Sequence, residues 1–374
     1  MQDYASIINA VKPQKQTALY KVLGALYSLG ALNTPVTTDE ITRTILLQFG
    51  KNGVPVNPTA KLTQLKKYVR RESLEHPIKW RLIPAGLEKL RKMSGLDLTA
   101  ETDSFEYLYD VGIICALEQP EFSAVVAATG GDAAWRAVEE PRLAHVYREC
   151  ELTTTSGKLL KVIGTTSSSM GLTAASIVTT QLIMHFRPRM ILMIGIAAGT
   201  RDGKKQFGDV LVADPSIDYM SGKVVRAEGI RDFLPDPYPI GLVPRVRSVL
   251  RKYLGANPAF AQIRSGWHGN VPSETNRLHL GPLGAADQVV DDYLTITELQ
   301  RNWRKLIGVE METYGVYRAC LEAPDPKPRF ISFKSVCDFA AEKGDSWQSY
   351  AAYVASEFAI RFVKAEWEGL CQTK

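Results

Sequence analysis

Cysteine is scarce in this chain. Its five residues, Cys115, Cys150, Cys320, Cys337 and Cys371, include no Cys-x-x-Cys pair. Neither a structural zinc module nor a disulfide framework is therefore expected, and a reducing, cytoplasmic setting is the better reading. Histidine is as sparse: His76, His145, His185, His268 and His279 share no ligand spacing with one another or with cysteine, so no metal site is expected. No apolar run reaches the roughly 18 residues of a membrane span. Met1-Gln2-Asp3-Tyr4 does not begin a basic segment leading into an apolar core, so neither a secretory leader nor membrane contact is expected. There is no Gly-x-Ser-x-Gly elbow and no Gly-Lys-Ser/Thr phosphate loop, which removes two common routes to hydrolysis and nucleotide binding. Repeats and low-complexity tracts are absent as well.

What is present is an ordinary globular balance, 45% hydrophobic and 23% charged, over 374 residues, enough for two domains. The net charge of +5 hides an asymmetry: residues 1–98 hold 15 Lys+Arg against 7 Asp+Glu, and the remainder 30 against 33. The basic part can meet an anionic partner; the rest need not. Residues 1–98 read mostly as helices. Leu19, Val22, Leu23, Leu26 and Leu29 repeat at helical spacing, with Gly30 as a stop. Thr37-Thr38-Asp39-Glu40 reads as a capping box opening a second helix buried through Ile41, Ile45 and Leu46. Asn57-Pro58 opens a third, expected to carry Lys61, Lys66, Lys67, Arg70 and Arg71. A strand from Lys79 to Ile83 and a helix from Pro84 follow. This order resembles a winged helix-turn-helix with a basic recognition helix. A nucleic-acid partner and a protein partner both stay open, the bland alternative being a solvated helix face. Ser94 to Ser104 read as a linker.

Residues 99–374 change character. Val111 to Leu117 and Met190 to Gly195 are continuous apolar runs, as in strands buried on both faces. Lys161–Gly164, Asp209–Ala213 and Phe330–Val336 add strands; Ala174–His185 and the tail from Ser346 to Leu370 read as helices. Alternating strands and helices predict an α/β layer that binds ligands at strand ends.

Chemistry concentrates in two places. Val309-Glu310-Met311-Glu312-Thr313-Tyr314-Gly315 sets two carboxylates around a thioether, and Lys334-Ser335-Val336-Cys337-Asp338 ends an apolar run on a carboxylate. Breaking a purine N-ribosyl bond leaves a cation-like sugar and an electron-rich base. An acid at the base, a carboxylate on vicinal hydroxyls and an apolar sulfur against the sugar suit that reaction. With Gly195-Ile196-Ala197-Ala198-Gly199 upstream, the set resembles the nucleoside phosphorylase and nucleosidase superfamily, especially methylthioadenosine/S-adenosylhomocysteine nucleosidases, over roughly the last two thirds of the chain.

The resemblance implies a three-layer α/β/α domain with a mixed central sheet, here preceded by the small winged-helix-like domain. It implies Asp338 as the acid that protonates the purine, which must carry its proton near neutral pH, as burial favours. Glu312 matches the glutamate that grips the ribose hydroxyls, Met311 the methionine against the sugar, and Glu310 the first glutamate of that motif. The water-activating base is Glu121 by the following Glu-Phe and Ala-Val pattern, with Glu118 as the fallback. Ala197 and Ala198 offer backbone contacts, although Ile196 replaces a serine common in the family. Val289 and Val290, after Gly281-Pro282-Leu283-Gly284-Ala285-Ala286-Asp287-Gln288, match the base-binding loop.

The expected activity is hydrolysis of an adenine nucleoside or nucleotide, with no metal or organic cofactor, in a homo-oligomer, with anti-phage defence as a setting suggested by the extra domain. Two alternatives stand. A phosphorylase is disfavoured because Met193 occupies the position of a phosphate-binding arginine, although the hydroxyl-rich loop Thr165–Leu172 could hold a phosphate or be an ordinary capped turn. A non-enzymatic purine sensor with a DNA-binding N-terminal domain is the other.

Overall fold

The computed structural model describes residues 4–371, apart from residues 33, 51–57, 74–75, 97–106, 140–142, 201–202, 228–229, 256, 291 and 340–344. The chain divides into two compact units, Met1–Phe105 and Glu106–Lys374. The expected linker, 94–104, falls largely outside the described residues.

The first unit runs α1 (Tyr4–Asn9), α2 (Ala18–Ser28), β1 (Val36–Thr37), α3 (Thr38–Phe49), α4 (Pro58–Gln64), β2 (Val69–Arg71), β3 (Lys79–Leu82) and α5 (Pro84–Ser94). Thr17 caps α2 through the Tyr20 amide. The capping box of α3 forms as its spacing predicts: Thr37 Oγ1 accepts from the Glu40 amide, and Glu40 accepts from the Thr37 amide at 2.7 Å. The three strands pair antiparallel in the order β1-β3-β2 around a core containing Tyr20, Leu23, Ile41, Ile45, Trp80 and Leu90.

The third helix departs from expectation. It stops at Gln64, so Lys66 and Lys67 lie on a turn, and Arg70 and Arg71 lie on β2. The cause is tertiary: Val69 is buried against the small core and pairs with Leu82, which pulls the chain into a strand. Residue Asn57, the expected cap, lies outside the described residues.

The second unit runs β4 (Tyr109–Cys115), α6 (Ser123–Ala128), β5 (Arg136–Ala137), β6 (Arg148–Thr153), β7 (Leu159–Thr166), α7 (Leu172–Phe186), β8 (Pro188–Gly199) and β9 (Val210–Asp218). After these come β10 (Gly222–Ala227), β11 (Ile230–Pro235), α8 (Pro244–Leu250), α9 (Pro258–Ser265), β12 (Leu278–Ala285), α10 (Tyr293–Asn302), β13 (Gly308–Glu310), α11 (Thr313–Glu322), β14 (Arg329–Asp338) and α12 (Gln348–Cys371).

Nine strands form one sheet in the order β13-β12-β9-β14-β8-β4-β7-β6-β5. It is mixed: β4 runs parallel to β7 and β8, and β8 to β14, whereas β9 meets β14 antiparallel. β13 also pairs with β8 through Val309 and Ala198, so one half of the sheet closes on itself. The apolar runs supply its centre, with Ile113, Ile191, Leu192, Ile194, Ile331 and Phe333 fully buried. α7 packs on α11, while α12 lies along β8 and β14 and packs against α6, α8 and α9. Among the described residues no helix is long and apolar enough to cross a membrane.

Candidate active site

Strand ends converge on one cleft of about 260 Å³. β4 runs into the turn Glu118–Phe122, which brings Glu121 inward. β8 supplies Ile196, Ala197 and Ala198, the segment after β12 supplies Gln288, Val289 and Val290, and β13 runs into Glu310, Met311 and Glu312. β14 ends on Cys337 and Asp338, Gln348 comes from the start of α12, and Met170 from the loop before α7. All nine residues singled out in the sequence, from Glu121 to Asp338, line this cleft. Glu118 does not: it is half-exposed and pairs with Arg148 at 2.7 Å. Of the two candidate bases, only Glu121 reaches the site.

Beneath the cleft lies a buried charge cluster that the sequence reading left without a centre. Lys334 points from the middle of β14 and is wholly buried. Its ammonium lies 2.8 Å from Glu312 Oε2 and 3.2 Å from Glu310 Oε2. Burial pulls Lys334 toward the neutral form, but the charges of Glu312, Glu310 and Glu121 outweigh it and hold its pKa above the usual lysine range. The signal was legible: a lone lysine interrupts Phe330-Ile331-Ser332-Phe333 and Ser335-Val336. Such a charge stays in a buried strand only when carboxylates meet it.

Glu121 is fixed by three main-chain donors. Its Oε2 accepts from the Ala116 and Leu117 amides at 2.8 and 2.9 Å, and its Oε1 from the Ile196 amide at 2.9 Å. Burial still raises its pKa, opposed by Lys334 and reinforced by Glu312, with the amides pulling back. Gly195 makes this possible, since a Cβ there would lie 2.3 Å from Glu121 Oε1 and 3.1 Å from the Lys334 ammonium. Glu310 also has its pKa raised by burial. Its carboxylate accepts from the Glu312 and Thr313 amides and so sets the turn that presents Met311 and Glu312.

Asp338 is half-buried and lines the cleft. The Cys337 thiol lies 3.4 Å from Asp338 Oδ2 and 3.5 Å from the Ala197 carbonyl oxygen. Burial, and then the Asp338 charge, push that thiol well up, so it remains a protonated donor.

The hydroxyl-rich loop offers an anion less than its composition promised. The Gly171 amide donates to Glu312 Oε1 at 3.2 Å, and the Leu172 amide to Asp287. Two carboxylates thus occupy the end of α7. Met193 is wholly buried in β8, and none of the described residues lining the cleft is basic. Arg201 lies outside the described residues, and the Lys205 ammonium donates to Thr200 Oγ1.

Comparison with known proteins bears on this geometry. An uncharacterised protein, y4jS, from Sinorhizobium fredii is 33% identical over 254 residues, covering 67% of this chain and 60% of that protein. The ATP nucleosidase Cap17 of Escherichia coli is 26% identical over 298 residues, covering 75% of this chain and 57% of the relative. The chain thus spans less than two thirds of the length of these curated relatives. A 5′-methylthioadenosine/S-adenosylhomocysteine nucleosidase from Helicobacter pylori superposes with a TM-score of 0.51 at 19% identity, covering 69% of this chain and 99% of that one, which shows a shared fold. The model of the phosphorylase superfamily matches residues 110–365, more than half of the chain, and the protein therefore belongs to the phosphorylase superfamily.

Proposed function

We propose that the protein hydrolyses the N-ribosyl bond of an adenine nucleoside or nucleotide and releases the free purine. One observation supports the reading: a single cleft is lined by Asp338, by the apolar Val289 and Val290, and by Met311 and Glu312, with Glu312 paired to the buried Lys334. Glu121 lines the same cleft, and this reading gives it the part of general base. In this reading Asp338 is the acid that donates a proton to the departing base. Positive charge then grows on the sugar, above three carboxylates that face one ammonium, and that imbalance favours a cation. Glu121 takes a proton from water as it adds to the sugar carbon.

Water is favoured over phosphate as the nucleophile. No basic residue lines the described cleft, and carboxylates fill the end of α7. A phosphate dianion in that place would meet negative charge.

A nucleotide substrate is suggested by the names of two relatives, the Escherichia coli ATP nucleosidase Cap17 and a death domain-containing ATP nucleosidase of Amphimedon queenslandica. A nucleoside is suggested by a methylthioadenosine/S-adenosylhomocysteine nucleosidase of a Marinomonas species, 25% identical over 187 residues. Incubation with ATP, AMP, adenosine and methylthioadenosine, with and without phosphate, separates these substrates. Free adenine is expected without added phosphate, and a strict requirement for phosphate would overturn hydrolysis. On the best substrate, Asp338→Asn is expected to lower kcat about 10²–10⁴-fold; wild-type turnover would remove Asp338 from its role.

The N-terminal unit runs two helices, a strand, two helices, two strands and a final helix, an order we read as winged-helix-like. Its α4 has only seven residues and keeps Lys61, while Lys66 and Lys67 sit on the turn and Arg70 and Arg71 on β2, which favours an interaction or sensing role over groove reading. The defence setting belongs with that role. A phage challenge of cells carrying the wild type or Asp338→Asn tests it, and equal plaque counts would end it.

A further inference from the structure

The segment between β12 and the cleft carries an acid that the proposed reaction leaves without a part. Asp287 directly precedes Gln288, Val289 and Val290, which line the cleft. Its Oδ1 accepts a hydrogen bond from the amide of Leu172, the first residue of the 15-residue α7. One residue earlier, the Gly171 amide holds Glu312. A single helix end therefore anchors both the sugar clamp and the base wall. Gly171 leaves the space for this: its φ is 116°, and a Cβ there would lie 2.5 Å from Asp287 Oδ1. Packing alone restrains the wall weakly, because Val289 is 59% exposed and only Val290 touches the small cluster of Tyr219, Ala286 and Val309. A carboxylate at a helix N-terminus satisfies an open amide and meets the positive end of the helix dipole.

The geometry points to Asp287 as a positioning residue that ties the base wall to the end of α7, and so sets affinity for the purine more than the rate of bond cleavage. This rests on the reading of Val289 and Val290 as the base wall. Losing an acceptor at a helix N-terminus typically weakens an equilibrium by about fivefold.

The test titrates free adenine into the full-length protein by calorimetry, which needs no turnover, and measures kcat and KM on the best substrate. Asp287→Ala is expected to weaken adenine binding about five- to tenfold and raise KM by a similar factor, with kcat within about twofold of wild type. Asp287→Asn keeps an acceptor oxygen and is expected to restore most of the affinity. Leu172→Pro removes the donor at the first helical position, where proline is tolerated, and is expected to reproduce the alanine effect with Asp287 intact. Wild-type adenine affinity in both Asp287→Ala and Leu172→Pro, or a fall in kcat with KM unchanged, overturns the proposal. A wild type that binds adenine but cleaves nothing refutes the proposed reaction, while the adenine affinities still decide on Asp287. Failure of the wild type to bind adenine removes the base wall and the proposal with it.

Discussion

At the scale of single residues, the cleft depends on one ammonium serving three carboxylates. Replacing Lys334 by methionine leaves Glu121, Glu310 and Glu312 buried without their counter-charge, and the cost expected for breaking a buried pair is about 3–5 kcal/mol. Chemical denaturation of wild type and Lys334→Met measures it; a loss below about 1 kcal/mol would show that the ammonium is not what holds this cluster together.

The same cluster predicts a pH dependence. In the proposed reaction Glu121 serves as a base only when ionised, and its pKa is raised above its ordinary 4.5 by burial. Activity is therefore present above that raised value and is lost as pH falls through it. The acid limb of kcat/KM should lie above about 4.5, and a limb at or below that value would show that the three amide donors, not burial, control Glu121.

Among elements, the turn after β4 and the C-terminal half of β8 matter most, because Glu121 bridges the Ala116, Leu117 and Ile196 amides. Gly195→Ala puts a methyl group against Glu121 Oε1. The carboxylate has to move off the Ile196 amide, and kcat should fall at least about tenfold with KM changing less, a misplacement effect. Retained kcat in this variant would show that Glu121 is not the base.

α4 shows how local grammar loses to packing. Lysines and arginines from Lys61 to Arg71 suit a helix, yet burial of Val69 beside Leu82 draws the last three residues into β2. By contrast, the capping box at Thr37 and Glu40 holds as its spacing predicts, because both partners lie within one turn and need nothing from afar.

For the whole molecule, each unit has its own core, one around Tyr20 and Trp80 and the other around β4, β8 and β14. We expect residues 106–374 to release adenine without the N-terminal unit, with any change confined to regulation. An insoluble or inactive fragment would show that the first unit supports the site. The full chain in a gel shift over a salt series tests nucleic-acid contact; retention at low salt that is lost as salt rises is the expected mark of phosphate binding, and no retention at any salt would favour a protein partner.

The sequence by itself determined the elements whose signals are local: apolar runs for β4, β8 and β14, an amphipathic α12, the α3 cap, and the carboxylate motifs at Glu310 to Glu312 and at Asp338. Motif spacing sufficed there because each signal spans a few neighbouring residues. Tertiary structure alone decided that α4 ends early and that β13 closes on β8; for Glu121 over Glu118, and for the buried Lys334, the sequence carried a preference or a hint and only the fold brought the side chains to the cleft. Those outcomes depend on which distant side chains share a buried space, and an unpaired charge or an unfilled core is costly only once the chain has folded around it.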